Sequence, residues 1–267
     1  MKKDMMKLAE LFVDKIKRDY KDDVAIVHVH GSYAYDDAHD RSDLDMYFVP
    51  KTQRGKNLAC TFILDGIGCD LFCVLWERLE KMASHGEKIA SIVTEGKLLY
   101  YSSEEDLARF ELLRERTLDK GDRSEWLSRA RRVMDDAYKD AFTIMNAQTL
   151  SEIRTGAIGL IYSLSFVLAQ LNQITIKRGR KLLKQEILAM PLSPRDFGRL
   201  YDSVFSGNDI GSVKAACIEL VQNTEALVSK ALAKPPVTFQ KLFAGWYEEM
   251  MLRSKGKVTA PQGHGKI

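Results

Sequence analysis

The chain has few cysteines, almost no excess charge of either sign, and no long hydrophobic run. Four cysteines in 267 residues (Cys60, Cys69, Cys73 and Cys217) cannot make the disulfide framework of a small secreted scaffold. Cys69 and Cys73 stand four apart in an apolar run with no Cys/His cluster nearby to complete a zinc site, so all four are expected to be core thiols. Forty Lys and Arg against 37 Asp and Glu leave +3, and no basic groove is interleaved with aromatics. Neither nucleic acid nor an acidic membrane surface is therefore the expected partner. The most apolar stretch, residues 157–171, contains two serines and falls short of the ~20 residues a bilayer requires. It is expected to be a buried helix. The opening Met-Lys-Lys-Asp-Met-Met-Lys runs into an amphipathic stretch with acids in it, unlike a signal peptide, and the expected location is the cytoplasm. No internal repeat is evident.

Hydrophobic residues at 45% and charged residues at 29% suit a globular chain, and the length allows one large domain or two modest ones. Charge is divided unevenly. Residues 1–110 carry 16 basic and 20 acidic side chains, whereas residues 111–267 carry 24 and 17. Residues 4–20 space Met5, Leu8, Leu11, Phe12, Ile16 and Tyr20 as one helix face. Residues 24–29 form a β-branched run that stops at Gly31-Ser32. Residues 43–49 alternate, with Asp43, Asp45 and Tyr47 on one side and Leu44, Met46 and Phe48 on the other. A hairpin is expected at 61–75 around Asp65-Gly66-Ile67-Gly68, then a helix near 77–84 and a strand at 97–101.

From residue 104 the pattern turns helical, over 104–117, 124–146, 152–173, 181–190, 194–206, 210–234 and 239–253. The expected class is α/β (α+β): a mixed-sheet domain over 1–105, then an all-α bundle over 106–252. Residues 253–267 are expected to form an unfolded tail.

One segment carries chemistry, residues 30–46. A strand that ends in Gly-Ser and opens a short helix leaves backbone N–H groups aimed outward, where a phosphate can meet them. Gly31 removes a Cβ from that approach, and Ser32 adds a hydroxyl. Asp43 and Asp45, at i and i+2 of a strand, project from one face, where two carboxylates repel until a divalent cation relieves them. A third acid, Asp70, lies in Gly68-Cys69-Asp70-Leu71-Phe72 with apolar neighbours on both sides. Triphosphate cradle and carboxylate cluster together are equipment for moving a nucleotidyl group onto an acceptor oxygen.

The string Gly31-Ser32-x9-Ser42-Asp43-x-Asp45, with Asp70 behind it, resembles the nucleotidyltransferase superfamily that includes DNA polymerase β and the minimal nucleotidyltransferases. The match covers residues 30–48 and, more weakly, 68–72. Ala34 and Ala38 fall where the bacterial small-molecule branch often has alanine, whereas Asp36 stands where many relatives have Gly or Arg. With a helical second half, the layout is similar to the antibiotic nucleotidyltransferases that act on aminoglycosides or lincosamides. The resemblance implies two Mg²⁺ ions on Asp43, Asp45 and Asp70, with Asp70 as general base. A nucleoside triphosphate, ATP by default, would lie against Gly31, Ser32 and Ser42. The acceptor would be the hydroxyl of a small molecule. The alternative is a regulatory or antitoxin-type relative that binds or modifies a protein partner; monomer and homodimer both remain open.

Among other groups, Lys177, Arg178 and Arg180 belong to the densest basic cluster, which includes Lys181 and Lys184 and is expected to offset triphosphate or pyrophosphate charge. Arg129, Arg131 and Arg132 read as a solvated, ion-paired helix face. His28, His30 and His39 read as core or edge histidines. Asp36, Asp37 and Asp40 read as a solvated or capping run. Glu152 fits the first turn of a helix as a dipole-favoured acid behind Ser151, with a base role as its rival reading.

Overall fold

The structure, a computed structural model, describes residues 5–35 and 38–233. The helix expected over 239–253, the expected tail, and Asp36 and Asp37 lie outside the described residues. The described residues divide into two compact units, one holding those up to Arg123 together with Gln173–Glu186, the other Ser124–Asn172 together with those from Ile187 on.

In the first unit, strands β1 (Val24–His30), β2 (Leu44–Pro50), β3 (Cys60–Leu64), β4 (Ile67–Cys73) and β5 (Lys97–Tyr101) form one mixed sheet in the order β3-β4-β2-β1-β5. β1 runs antiparallel to β2 and β5, β3 antiparallel to β4, and β2 parallel to β4. The β3–β4 turn is tighter than expected. Asp65 and Gly66 alone turn the chain, both with positive φ (51° and 81°), as a two-residue hairpin requires, and Ile67 and Gly68 already belong to β4.

Alternation along each strand sorts side chains between two cores. Val27, Val29, Leu44, Met46, Phe48 and Leu71 face α1 (Met5–Asp19), whose Met5, Ala9, Val13 and Ile16 recur at helical spacing and are buried. Ile26, Tyr47 and Val49 face the opposite way. A four-residue helix, α2 (Gln53–Lys56), follows β2. α3 (Trp76–Ala83), α4 (Ser91–Thr94) and α5 (Glu104–Leu118) cover the second face through Leu79, Met82, Val93, Phe110 and Leu113. Ser103 caps α5, its hydroxyl accepting from the Asp106 amide at 3.1 Å. Because Phe110 and Leu113 complete the sheet core, α5 belongs to the first unit. The boundary expected at residue 105 falls instead after Arg123.

In the second unit α6 (Arg123–Asn146), α7 (Leu150–Asn172), α9 (Phe197–Ser206) and α10 (Ile210–Ala231) pack as helices, with α8 (Gly179–Leu188) leading into it from the first. α7 starts two residues before the expected 152 and ends one before the expected 173. Its 23 residues are long and apolar enough to cross a membrane by length and composition, yet 67% of its apolar window is buried within the protein. Its cap is Thr149 rather than Ser151. The Thr149 hydroxyl accepts from the Glu152 amide at 3.2 Å, and the Glu152 carboxylate accepts from the amides of Gln148 and Thr149 at 2.7 and 3.1 Å. This reciprocal capping box holds Glu152 below the usual carboxylate range, chiefly through those backbone amides.

Of the three arginines of α6 read as a solvated, ion-paired face, Arg132 is exposed and Arg129 and Arg131 pair with Glu125 and Asp135, but the latter two are also partly buried against other helices' side chains. Arg129 stacks over Trp126 and donates to Gln170, which is 1% exposed. Arg131 donates to Glu225 of α10 at 2.9 Å. Glu225 is buried, and its carboxylate also accepts from the Tyr138 and Ser229 hydroxyls. Both Glu225 oxygens are thus taken by donors from α6 and α10, so removing the carboxylate leaves buried donors without it and is expensive. Glu225→Ala is expected to destabilise the protein by about 3 kcal/mol, read from the urea midpoint. A loss under about 1 kcal/mol would mean that water already reaches and satisfies the network.

Candidate active site

β1 ends at His30, and at Gly31 the chain enters a 3₁₀ turn, Gly31–Ala34, in place of the expected short helix. Gly31 has φ 71°, a left-handed conformation that L side chains disfavour. A Cβ there would lie 2.6 Å from Asp45 Oδ2. The first thing the missing methyl makes room for is thus a carboxylate of the protein itself. β2 begins at Leu44, so Asp43 stands one residue ahead of the strand rather than on it. It is anchored from β4: the Gly68 amide donates to Asp43 Oδ1 at 3.3 Å, and a Cβ on Gly68 would lie 2.9 Å from that oxygen.

Strand register assembles the rest. His30 pairs with Asp45, Asp45 with Asp70, and Asp70 with Thr61, so four polar residues from β1, β2, β4 and β3 form one row on one sheet face. Neighbouring strands lie about 4.8 Å apart, which brings the row's carboxylates within electrostatic reach. Burial first, then the negative charges of Asp43 and Asp70, push the Asp45 carboxyl up to about 6, with Lys181 acting in the opposite sense. His30 offers no compensating charge, because burial outweighs Asp70 and pushes its imidazole down to about 4. His28 and His30 share a face as expected. His28 is 1% exposed and stacks on Tyr47 at 5.0 Å between ring centroids.

Beside this row lies a pocket of about 430 Å³. Gly31, Ser32, Ser42, Asp43, Asp45, Lys177 and Arg178 line it, so seven of the site residues singled out from the sequence meet there. Ser42 is fully buried, and its hydroxyl accepts from the His39 amide at 2.9 Å, closing the 39–42 turn. The 173–186 segment supplies Lys177, Arg178, Lys181 and Leu182 to the lining. Lys177 is already paired with Glu95 at 2.6 Å. The Arg180 side chain lies outside the described residues. Lys181 and Leu182 are consecutive yet both line the pocket, because Leu182 (φ −120°, ψ 16°) breaks the helical path of α8.

Asp70 is not among the lining residues. Thr61 Oγ1 donates to its Oδ1 at 2.7 Å. Among the described residues no three His, Cys, Asp or Glu side chains are gathered as a ready metal-binding set. Asp43 and Asp45 line the pocket, while Asp70 is the register neighbour of Asp45 on β4, near enough for its charge to act on Asp45, with one oxygen taken by Thr61. The pair's chemistry suits a hard divalent cation: oxygen donors only, and an Asp45 whose charge is disfavoured by burial and two acidic neighbours. Lys181 belonged to the basic cluster seen in the sequence but was not singled out for the site. Tyr35, His39 and Leu182 also line the pocket; Tyr35 and Leu182 carry no sequence signal for it, and His39 read only as a core or edge histidine.

No family model matches the chain, and no curated protein matches it. Among solved structures it is similar to a nucleotidyltransferase-like protein from Exiguobacterium sibiricum 255-15, at 12% identity over 96% of each chain, with a TM-score of 0.48.

Proposed function

We propose that the protein transfers a nucleoside monophosphate from a nucleoside triphosphate, ATP by default, to a hydroxyl of a small-molecule acceptor. The observation that carries this reading is a pocket lined both by acids, Asp43 and Asp45, and by cations, Lys177, Arg178 and Lys181. A triphosphate with its divalent counterion is the ligand class that satisfies both sets at once. Asp43 and Asp45 would hold Mg²⁺, which when bound supplies Lewis-acid polarisation of the phosphate oxygens.

The chain's own residues then do the following. Ser32 and the turn it belongs to receive the outer phosphates, and the cationic side chains offset the charge that grows on them. The acceptor oxygen forms a bond to the α-phosphorus as the bond from that phosphorus to the bridging oxygen breaks, and pyrophosphate departs with that oxygen. The acceptor's proton passes to a carboxylate, for which Asp70, in register with Asp45 and with one oxygen held by Thr61, is the group at hand. Glu152, held by backbone amides in a capping box, is not needed for this role.

The test uses ATP labelled in turn at the α- and γ-phosphate, with Mg²⁺ and a panel of hydroxylated acceptors that includes aminoglycosides and lincosamides. Label from the α position is expected on an acceptor, with release of pyrophosphate. Transfer of the γ label would make the protein a kinase and sink the reading. Tight ATP binding with no small acceptor labelled would move the acceptor to a protein, the regulatory alternative.

A further inference from the structure

The 173–186 segment follows α7 in the chain, yet it belongs to the unit of the sheet. A single side chain reaches it twice. Tyr35, the residue that ends the 3₁₀ turn, donates its hydroxyl to the Lys177 carbonyl at 3.2 Å. Its ring lies under the Arg178 guanidinium, 4.3 Å from the central carbon to the ring centroid. The Glu186 carboxylate accepts the Lys177 amide at 2.9 Å and the Arg178 amide as well. Tyr35 and Glu186 thus hold the same two residues, Tyr35 through the Lys177 carbonyl and the Arg178 guanidinium and Glu186 through both amides, and Lys177 and Arg178 line the pocket with Ser32 and Asp45.

We propose that Tyr35 is a positioning residue that ties the glycine–serine turn to the cationic strap, so that the turn and Arg178 engage the same triphosphate. The inference rests on the nucleotidyl-transfer reading of the pocket. It assigns Tyr35 no contact with the reacting atoms. Its work is to hold the strap in place before the ligand arrives, which spares the ligand the cost of ordering it. The hydroxyl stays a donor throughout the working pH range, since burial and the neighbouring Glu95 and Glu186 push the phenol up to about 12.

Two variants separate the two grips. Tyr35→Phe keeps the ring under Arg178 and removes the bond to Lys177; Tyr35→Leu removes both. Calorimetry with Mg²⁺ and α,β-methylene-ATP, against AMP as the ligand without outer phosphates, is the binding readout. Tyr35→Phe is expected to weaken the triphosphate analogue roughly fivefold, the weight of one hydrogen bond. Tyr35→Leu is expected to weaken it about tenfold or more, through the added loss of the cation–π contact. AMP binding should not change. In the ligand-free protein, amide exchange over residues 176–182 should quicken in Tyr35→Leu while β1 and β2 stay protected, and adding Arg178→Ala to Tyr35→Leu should lose little more affinity. Equal loss for AMP and the triphosphate analogue, full additivity with Arg178→Ala, or an unchanged strap in exchange would each overturn the proposal. A wild-type protein that binds no triphosphate overturns the nucleotide reading, and the coupling with it. A wild type that binds normally beside an unaffected Tyr35→Leu overturns the coupling alone.

Discussion

Asp45→Asn is expected to abolish nucleotidyl transfer, by about a thousandfold or more, and at the same time to make the metal-free protein more stable. The two effects have one cause. Asp45 is partly buried beside Asp43 and Asp70, and its carboxyl titrates near 6 instead of the usual 3.8. A raised value means that the folded protein holds the proton more tightly than the unfolded chain does. The contribution is fully present below about pH 4, fades as pH rises through 6, and is absent at neutral pH unless a cation replaces the proton. Solvent screening at a partly exposed carboxylate limits the penalty on its charged form to about 1 kcal/mol. Asparagine removes that penalty, so at pH 8 and in chelator the variant's melting temperature should rise by about 2–4 °C. Wild-type protein should gain on addition of Mg²⁺, and the variant should not. Retention of more than a tenth of the activity, or a variant that melts lower than wild type in chelator, would sink the assignment of Asp45 as the central carboxylate.

Gly31→Ala has the second large effect, and its control is built into the same sheet. At Gly31 a methyl group meets two obstacles, a positive φ and the Asp45 carboxylate 2.6 Å away. Gly66, in the β3–β4 turn, has a positive φ too, but a Cβ there meets nothing within 4 Å. Backbone strain of about 1–2 kcal/mol should therefore appear in both alanine variants. Only Gly31→Ala should displace Asp45, and with it lose Mg²⁺ affinity and most of the activity. Urea denaturation reads the shared part, and calorimetry with Mg²⁺ and the ATP analogue reads the difference. If Gly66→Ala loses as much activity as Gly31→Ala, the close approach at Gly31 is structural and has no part in chemistry.

Most of the sheet was legible in advance because its signals are local. The β-branched run at 24–29, the alternation at 43–49, and Asp65-Gly66 each state their own conformation, and the strands formed close to those limits. The alternation also placed Asp45 opposite Leu44 and Met46, and the two faces did separate in that way. Asp43 fell short of the strand by one residue, since strand ends are set by the pairing partner and not by the run itself.

What failed to show was whatever depends on a partner distant in sequence. Arg131 and Glu225 are 94 positions apart, and helical spacing around Arg131 reads equally well as a solvated face. Tyr35 and Lys177 are 142 apart. Thr61 and Asp70 meet only through the β3–β4 pairing, where the Thr61 hydroxyl donates to one Asp70 oxygen.

The sequence alone determined the kind of chemistry available: a glycine–serine strand end, paired aspartates on one side of a strand, and a basic cluster far downstream. Periodicity and turn residues suffice for that, because they act over a few residues. The tertiary structure alone decided which of these meet. It returned residues 173–186 to the sheet unit, set Asp43 and Asp45 rather than all three aspartates in the pocket, and brought in Tyr35 and Lys181. Register, burial and ion pairing between distant segments are properties of the packed chain, where desolvation makes each charge depend on what the fold sets beside it.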